Sequence, residues 1–81
     1  MKKQEKVLVT GAGGFIGHHL ARFLKKKGYF VRGVDIVYPE FSDLSDFNDF
    51  RILDLRDFRN AIEATEGISK VYALAAQNGS I

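Results

Sequence analysis

Behind the polar start MKKQEK, apolar side chains gather in short blocks separated by glycine-bearing or polar stretches. KVLVT, Lys6 to Thr10, is β-branched and continuously apolar at its centre, which predicts a strand covered on both faces. From Phe15 onward the period changes: Ile16, Leu20, Phe23 and Leu24 recur at helical spacing, and Lys25 to Gly28 supply a basic last turn and a glycine stop. YFVRGVD, Tyr29 to Asp35, predicts a second strand. Ile36 to Asp49 holds the only proline among several Asp, Ser and Asn residues and predicts an irregular connection with one short helical turn. Phe50 to Leu55 predicts a third, shorter strand. Arg56 to Gly67 predicts a helix with Phe58, Ala61, Ile62 and Thr65 on one face, Asp57 as N-cap and Gly67 as the stop. Lys70 to Ala76 predicts a fourth strand ending in small residues. Strands alternating with helical connections give an α/β architecture with a parallel sheet, and right-handed crossovers order it 3-2-1-4.

Composition narrows the class. With 81 residues, 46% hydrophobic and 27% charged, the chain reads as one globular domain or part of one. A net charge of +2 is too mild for a nucleic-acid partner, and Lys25, Lys26 and Lys27 sit where a helix dipole accounts for them. There is no cysteine, hence no disulfide framework and no thiolate metal site. The polar N-terminus lacks the apolar core of a signal peptide, and no stretch approaches the length of a membrane span, so no membrane partner and a cytoplasmic location are expected.

Between the first strand and the first helix stand Gly11, Gly13, Gly14 and Gly17, four glycines in seven positions. An ordinary tight turn is the plain explanation. The context favours another: a buried-type strand precedes, an amphipathic helix follows, and the second strand ends in Asp35, 18 positions after Gly17. In that arrangement Gly11 permits the turn, Gly14 lets a diphosphate approach, and Gly17 lets the helix pack on the sheet. Main-chain amides from Gly13 through Phe15 and Ile16 then face the anion, helped by the helix dipole. Asp35 suits a ribose diol, and no cation follows in Ile36-Val37-Tyr38 to neutralise a 2′-phosphate, so NAD(H) is preferred over NADP(H). A phosphate-loop nucleotidase is disfavoured, because no Gly-Lys-Ser/Thr follows.

On TGAGGFIG, Thr10 to Gly17, with Asp35 behind it, the chain resembles the extended short-chain dehydrogenase/reductase superfamily, specifically its NAD-dependent nucleotide-sugar epimerase/dehydratases. LDLRD (Leu53 to Asp57) and YALAA (Tyr72 to Ala76) also match. The resemblance implies a partial Rossmann-type sheet of about four strands, with adenine near Asp54 and Leu55 and the nicotinamide side near Ala75 and Ala76. The segment from Leu53 to Ile81 is similar to GDP-mannose 3,5-epimerase-like enzymes. Residues 1–81 are then an incomplete NAD-binding segment without a substrate domain, and a nucleotide sugar becomes a partner only if a C-terminal part exists. That family works through a Tyr with a Lys four positions on. Here Gly33, Ser42 and Ala76 follow Tyr29, Tyr38 and Tyr72 at that spacing, so no catalytic residue is assigned and the chain alone is expected to be inactive. A stand-alone NAD-binding module and a remnant that binds nothing are the alternatives. The fourth strand is expected to leave an open edge that invites self-association.

Other residues draw plainer expectations. His18 and His19, adjacent on a helix, are expected to point apart and share no metal. Asp43, Asp46 and Asp49 lack the companions of a calcium loop and are expected to be solvated. Phe41, Phe47, Phe50 and Phe58 are expected in the core.

Overall fold

The computed structural model describes residues 4–37 and 44–74. It is an α/β fold built on four parallel strands: β1 (Lys6–Thr10), β2 (Phe30–Asp35), β3 (Asp49–Ile52) and β4 (Lys70–Ala73), in the order β3-β2-β1-β4. This is the Rossmann-type order expected from the alternation of elements. Two helices, α1 (Phe15–Lys26) and α2 (Phe58–Thr65), and a 3-10 turn at Leu44–Asp46 make the connections.

The centre of β1 is buried throughout because neighbours cover both faces of the sheet. Alternation sends Val7 and Val9 to one side, where they pack with Ala12, Ala21, Leu24, Val31 and Phe47. Leu8 goes to the other, with Val34, Ala64, Leu53, Leu55 and Ile68. Thus α1 covers one face and α2 the other. Register is set by β1 lying between Phe30–Val34 of β2 and Lys70–Ala73 of β4.

The boundaries depart from the sequence expectations at strand ends. β3 runs from Asp49 to Ile52 rather than from Phe50 to Leu55, because Leu53 gives its N–H to the Asp35 carbonyl at 3.0 Å and the chain then turns, Asp57 N to Asp54 O at 3.1 Å. The last expected residues of β4, Ala75 and Ala76, lie outside the described residues, as do Phe41 and Asp43. Asp57 does cap α2, accepting from Arg59 N at 2.9 Å.

Each helix buries only part of the stripe that its large side chains suggest, Leu24 and Leu20 of α1 reaching the core as expected. In α1 the buried residues are Gly17, His18, Ala21 and Leu24, while Ile16 and Phe23 are exposed. In α2 Ala64 faces the sheet, and Phe58 and Ile62 are 77% and 55% exposed. Small residues bring the helix axes close to the sheet, so the larger side chains are pushed to the flanks. Phe47 is in the core and Phe50 beside it, but Phe58 is not.

The connection after β2 is also less open than expected. Asp46 is buried against α1, where Arg22 Nε donates to its Oδ1 at 3.1 Å, and Asp49 receives Arg32 and Arg51, each at 3.0 Å. These two carboxylates are structural partners, not solvated surface groups. Arg32 is itself buried. Its guanidinium donates to Asp49 Oδ2 and to the carbonyls of Ala64 and Glu66 at 2.8 and 2.9 Å, closing the C-terminal end of α2 with a positive charge.

Arg32→Ala strands the Ala64 and Glu66 carbonyls and leaves Asp49 with Arg51 alone, and is expected to cost about 3 kcal/mol. A urea titration checks it: the midpoint should fall sharply, and an unchanged midpoint would contradict this role.

Candidate functional site

Residues 11–14 carry the chain from β1 to α1. Gly11 has φ +68°, a left-handed turn that other residues avoid. A Cβ there would meet Leu74 at 3.4 Å, so the exit of β4 lies beside the loop. Ala12 is buried and its N–H bonds the Val34 carbonyl at 3.1 Å, stitching the loop to β2. Gly13 N donates to Asp35 Oδ2 at 2.8 Å, and a Cβ on Gly13 would stand 2.9 Å from both that oxygen and the Val37 carbonyl. A Cβ on Gly17 would stand 2.7 Å from the Ala12 backbone. Gly13 and Gly17 admit no larger residue without movement, and Gly11 only with backbone strain.

Gly14 differs. Its backbone is extended, and a Cβ would meet only the Gly11 carbonyl, at 3.7 Å. It is the N-cap of α1 and has no side chain to accept from the first amides, nor does the first turn hold an acidic residue. The positive end of the helix dipole therefore lies beside open space at exposed Gly14. Phe15 and Ile16 begin the helix with exposed side chains.

Asp35 ends β2, partly buried, with Oδ1 accepting from Ile36 N at 2.6 Å. Nothing in the spacing of the glycines signals the link from its carboxylate to Gly13. Asp54 stands one strand further out, two residues past the Asp35–Ile52 pair of the sheet. Its carboxylate is gripped by Arg56, with Nη2 to Oδ2 at 2.7 Å, and hydrogen bonds from that side chain and its backbone hold the pKa down at about 2. Leu55 packs against the Leu8–Val34–Ala64 cluster. The structure thus brings Gly11, Gly13, Gly14, Asp35 and Leu74 to one edge of the sheet. Asp54 bonds to Arg56 and not to that group. Ala75 and Ala76 lie outside the described residues.

The two histidines do not point apart. Their rings lie 4.1 Å centroid to centroid, both edge-on to Phe15, because the imidazoles lean toward that exposed ring. His18 is buried with Nδ1 3.5 Å from Asp46 Oδ2. Among the described residues no three His, Cys, Asp or Glu side chains gather to hold a metal, and no helix is long and apolar enough to cross a membrane.

This fold recurs in known proteins. The sequence profile described as "NAD dependent epimerase/dehydratase family" matches residues 7–81. GDP-mannose 3,5-epimerase of Arabidopsis thaliana is 42% identical over 77 residues, covering 94% of this chain and 20% of that protein. Among solved structures, MoeE5 in complex with UDP-glucuronic acid and NAD is 38% identical, with a TM-score of 0.74 over 91% of this chain and 23% of the other. UDP-glucose 4-epimerase of Thermus thermophilus in complex with NAD is 31% identical, with a TM-score of 0.71 over 89% and 24%. The chain spans about a fifth of the curated relative's length. Strand order, glycine loop and strand-end carboxylate agree with a match that runs nearly end to end: the chain belongs to the NAD dependent epimerase/dehydratase family.

Proposed function

We propose that residues 1–81 are an NAD(H)-binding segment of a cytoplasmic nucleotide-sugar epimerase/dehydratase, binding cofactor but not turning over substrate alone. The observation that carries this reading is the open space at Gly14, where a Cβ would meet only the Gly11 carbonyl, at a start of α1 that has no side-chain cap. A diphosphate is an anion of the kind that the positive end of a helix attracts. NAD binding by MoeE5 and by the Thermus epimerase supports the choice of cofactor.

The chain's own residues divide the work. Gly13 and Gly14 let the backbone approach the anion, and the amides of Phe15, Ile16 and Gly17 lie at the positive end of α1. Asp35 has one oxygen on Gly13 N and the other on Ile36 N, which orients the carboxylate and leaves each oxygen a lone pair for a ribose hydroxyl. Its charge opposes a 2′-phosphate. Asp54 and Leu55 are assigned to the adenine, and Ala75 and Ala76, from their place in the sequence alone, to the nicotinamide. When bound, the nicotinamide supplies a hydride acceptor for a sugar carbon. No Tyr with a Lys four positions on stands in the chain to exchange the accompanying proton. The exposed β4 residue Val71, at the edge of the described sheet, supports self-association through that strand.

Calorimetry tests the reading directly. NAD should release or absorb heat with the wild type, and Gly14→Trp, which sets a bulky ring where the Cβ position is open, should abolish it. Asp35→Ala should weaken NAD by about tenfold to a hundredfold, the worth of a hydrogen-bonded charge, and narrow the preference over NADP. No heat from the wild type would remove the proposal. For the open edge, light scattering should return a mass that rises with concentration above the 9.1 kDa of one chain; a constant single-chain mass would contradict self-association. Because the folded pKa of Asp54 lies below its ordinary value of 3.8, its pairing with Arg56 adds stability above about pH 4, and this is lost as pH falls toward 2. In Arg56→Ala the carboxyl carbon should titrate near the ordinary value by NMR, and a midpoint still near 2 would refute the pairing.

A further inference from the structure

Gly13 lacks the positive φ of Gly11, Gly28 and Gly67, so its backbone conformation is not one reserved for glycine. Space alone excludes a side chain there. A Cβ would stand 2.9 Å from Asp35 Oδ2, 3.3 Å from Asp35 Cγ and 2.9 Å from the Val37 carbonyl oxygen. The Val37 oxygen belongs to the main chain, whereas the Asp35 carboxylate ends a side chain with two rotatable bonds, so the carboxylate is the group that gives way. With glycine in place it closes on the loop. Gly13 N donates to Oδ2 at 2.8 Å and Ile36 N to Oδ1 at 2.6 Å, which fixes both oxygens. At Gly14, the next residue, a Cβ would meet only the Gly11 carbonyl, at 3.7 Å.

We propose that Gly13 is a positioning residue for cofactor choice: by lacking a side chain it seats the Asp35 carboxylate on the glycine loop, where that charge opposes a 2′-phosphate. The inference rests on the reading of Asp35 given above. A methyl group at position 13 keeps every charge and changes only where the carboxylate stands. Once displaced, the carboxylate loses its fixed aim at a ribose diol. It also repels an added phosphate less, because like charges repel less as they separate. The preference for NAD over NADP therefore depends on a residue that carries no charge.

The test titrates wild type, Gly13→Ala and Gly14→Ala with NAD and with NADP. The ratio of the two Kd values is the readout, since any loss of diphosphate affinity common to both cofactors cancels in it. In Gly13→Ala the preference for NAD should narrow by about threefold to tenfold, the worth of one lost hydrogen bond, while Gly14→Ala keeps the wild-type ratio. An unchanged or wider ratio in Gly13→Ala, equal narrowing in Gly14→Ala, or a wild type that binds both cofactors alike overturns the inference while leaving NAD binding intact. Absence of binding to the wild type removes the dinucleotide reading, and this inference with it. Hydrogen exchange supplies a readout that needs no ligand. The Gly13 amide of the wild type should exchange about tenfold or more slowly than an unprotected glycine, and that protection should fall in Asp35→Ala. Exchange at the unprotected rate in the wild type, or equal protection in Asp35→Ala, also overturns the proposal.

Discussion

The close seating of α1 against the loop that precedes it is the constraint on which the rest depends. At Gly17 the helix passes so near the Ala12 backbone that even a methyl group would stand at 2.7 Å. That contact directs the helix start toward the carboxyl edge of the sheet. It also buries Ala12, whose N–H is then stitched to the end of β2. Because β2 ends there, Asp35 arrives beside Gly13, and a loop amide and a strand-end carboxylate come to share one hydrogen bond. A larger residue at position 17 would lift the helix and pull each of these apart in turn.

Asp35 consequently has two tasks. It is the acceptor that orders the glycine loop, and it is the group assigned to a ribose. The Asp54–Arg56 pair repeats the theme one strand away, with a carboxylate held by its local chain before any ligand arrives. Preorganisation of this kind lowers the ordering cost of binding, because the acceptors are aimed in advance.

Much of this was legible in the sequence. Alternation of strand and helix patterns, with right-handed crossovers, yielded the order β3-β2-β1-β4, and the glycines with Asp35 marked the edge where the loop gathers. The helix faces were less legible. Hydrophobicity favours Ile16, Phe23, Phe58 and Ile62 as buried, whereas contact with the sheet at these places is made by Gly17, Ala21 and Ala64, since close approach rewards small size over apolar bulk. Buried polar groups were the least legible. Arg32 within β2 and Asp46 in the connection look like surface residues by type, and their partners, Ala64, Glu66, Arg22 and His18, are fixed only by tertiary contact. Neither helix pattern nor spacing could show that two adjacent histidines lean toward one phenylalanine.

The strand order also governs how the chain is assembled during synthesis. β1 is made early yet is an inner strand, and the hydrogen bond from Ser69 back to Lys6 spans 63 residues. Loops of that length close slowly, since their entropy is lost before the contact repays it. On the ribosome β1 must therefore wait, with one edge unpaired, until β4 has emerged. Until then its Val-Leu-Val centre is a sticky segment within reach of chaperones and of other nascent chains.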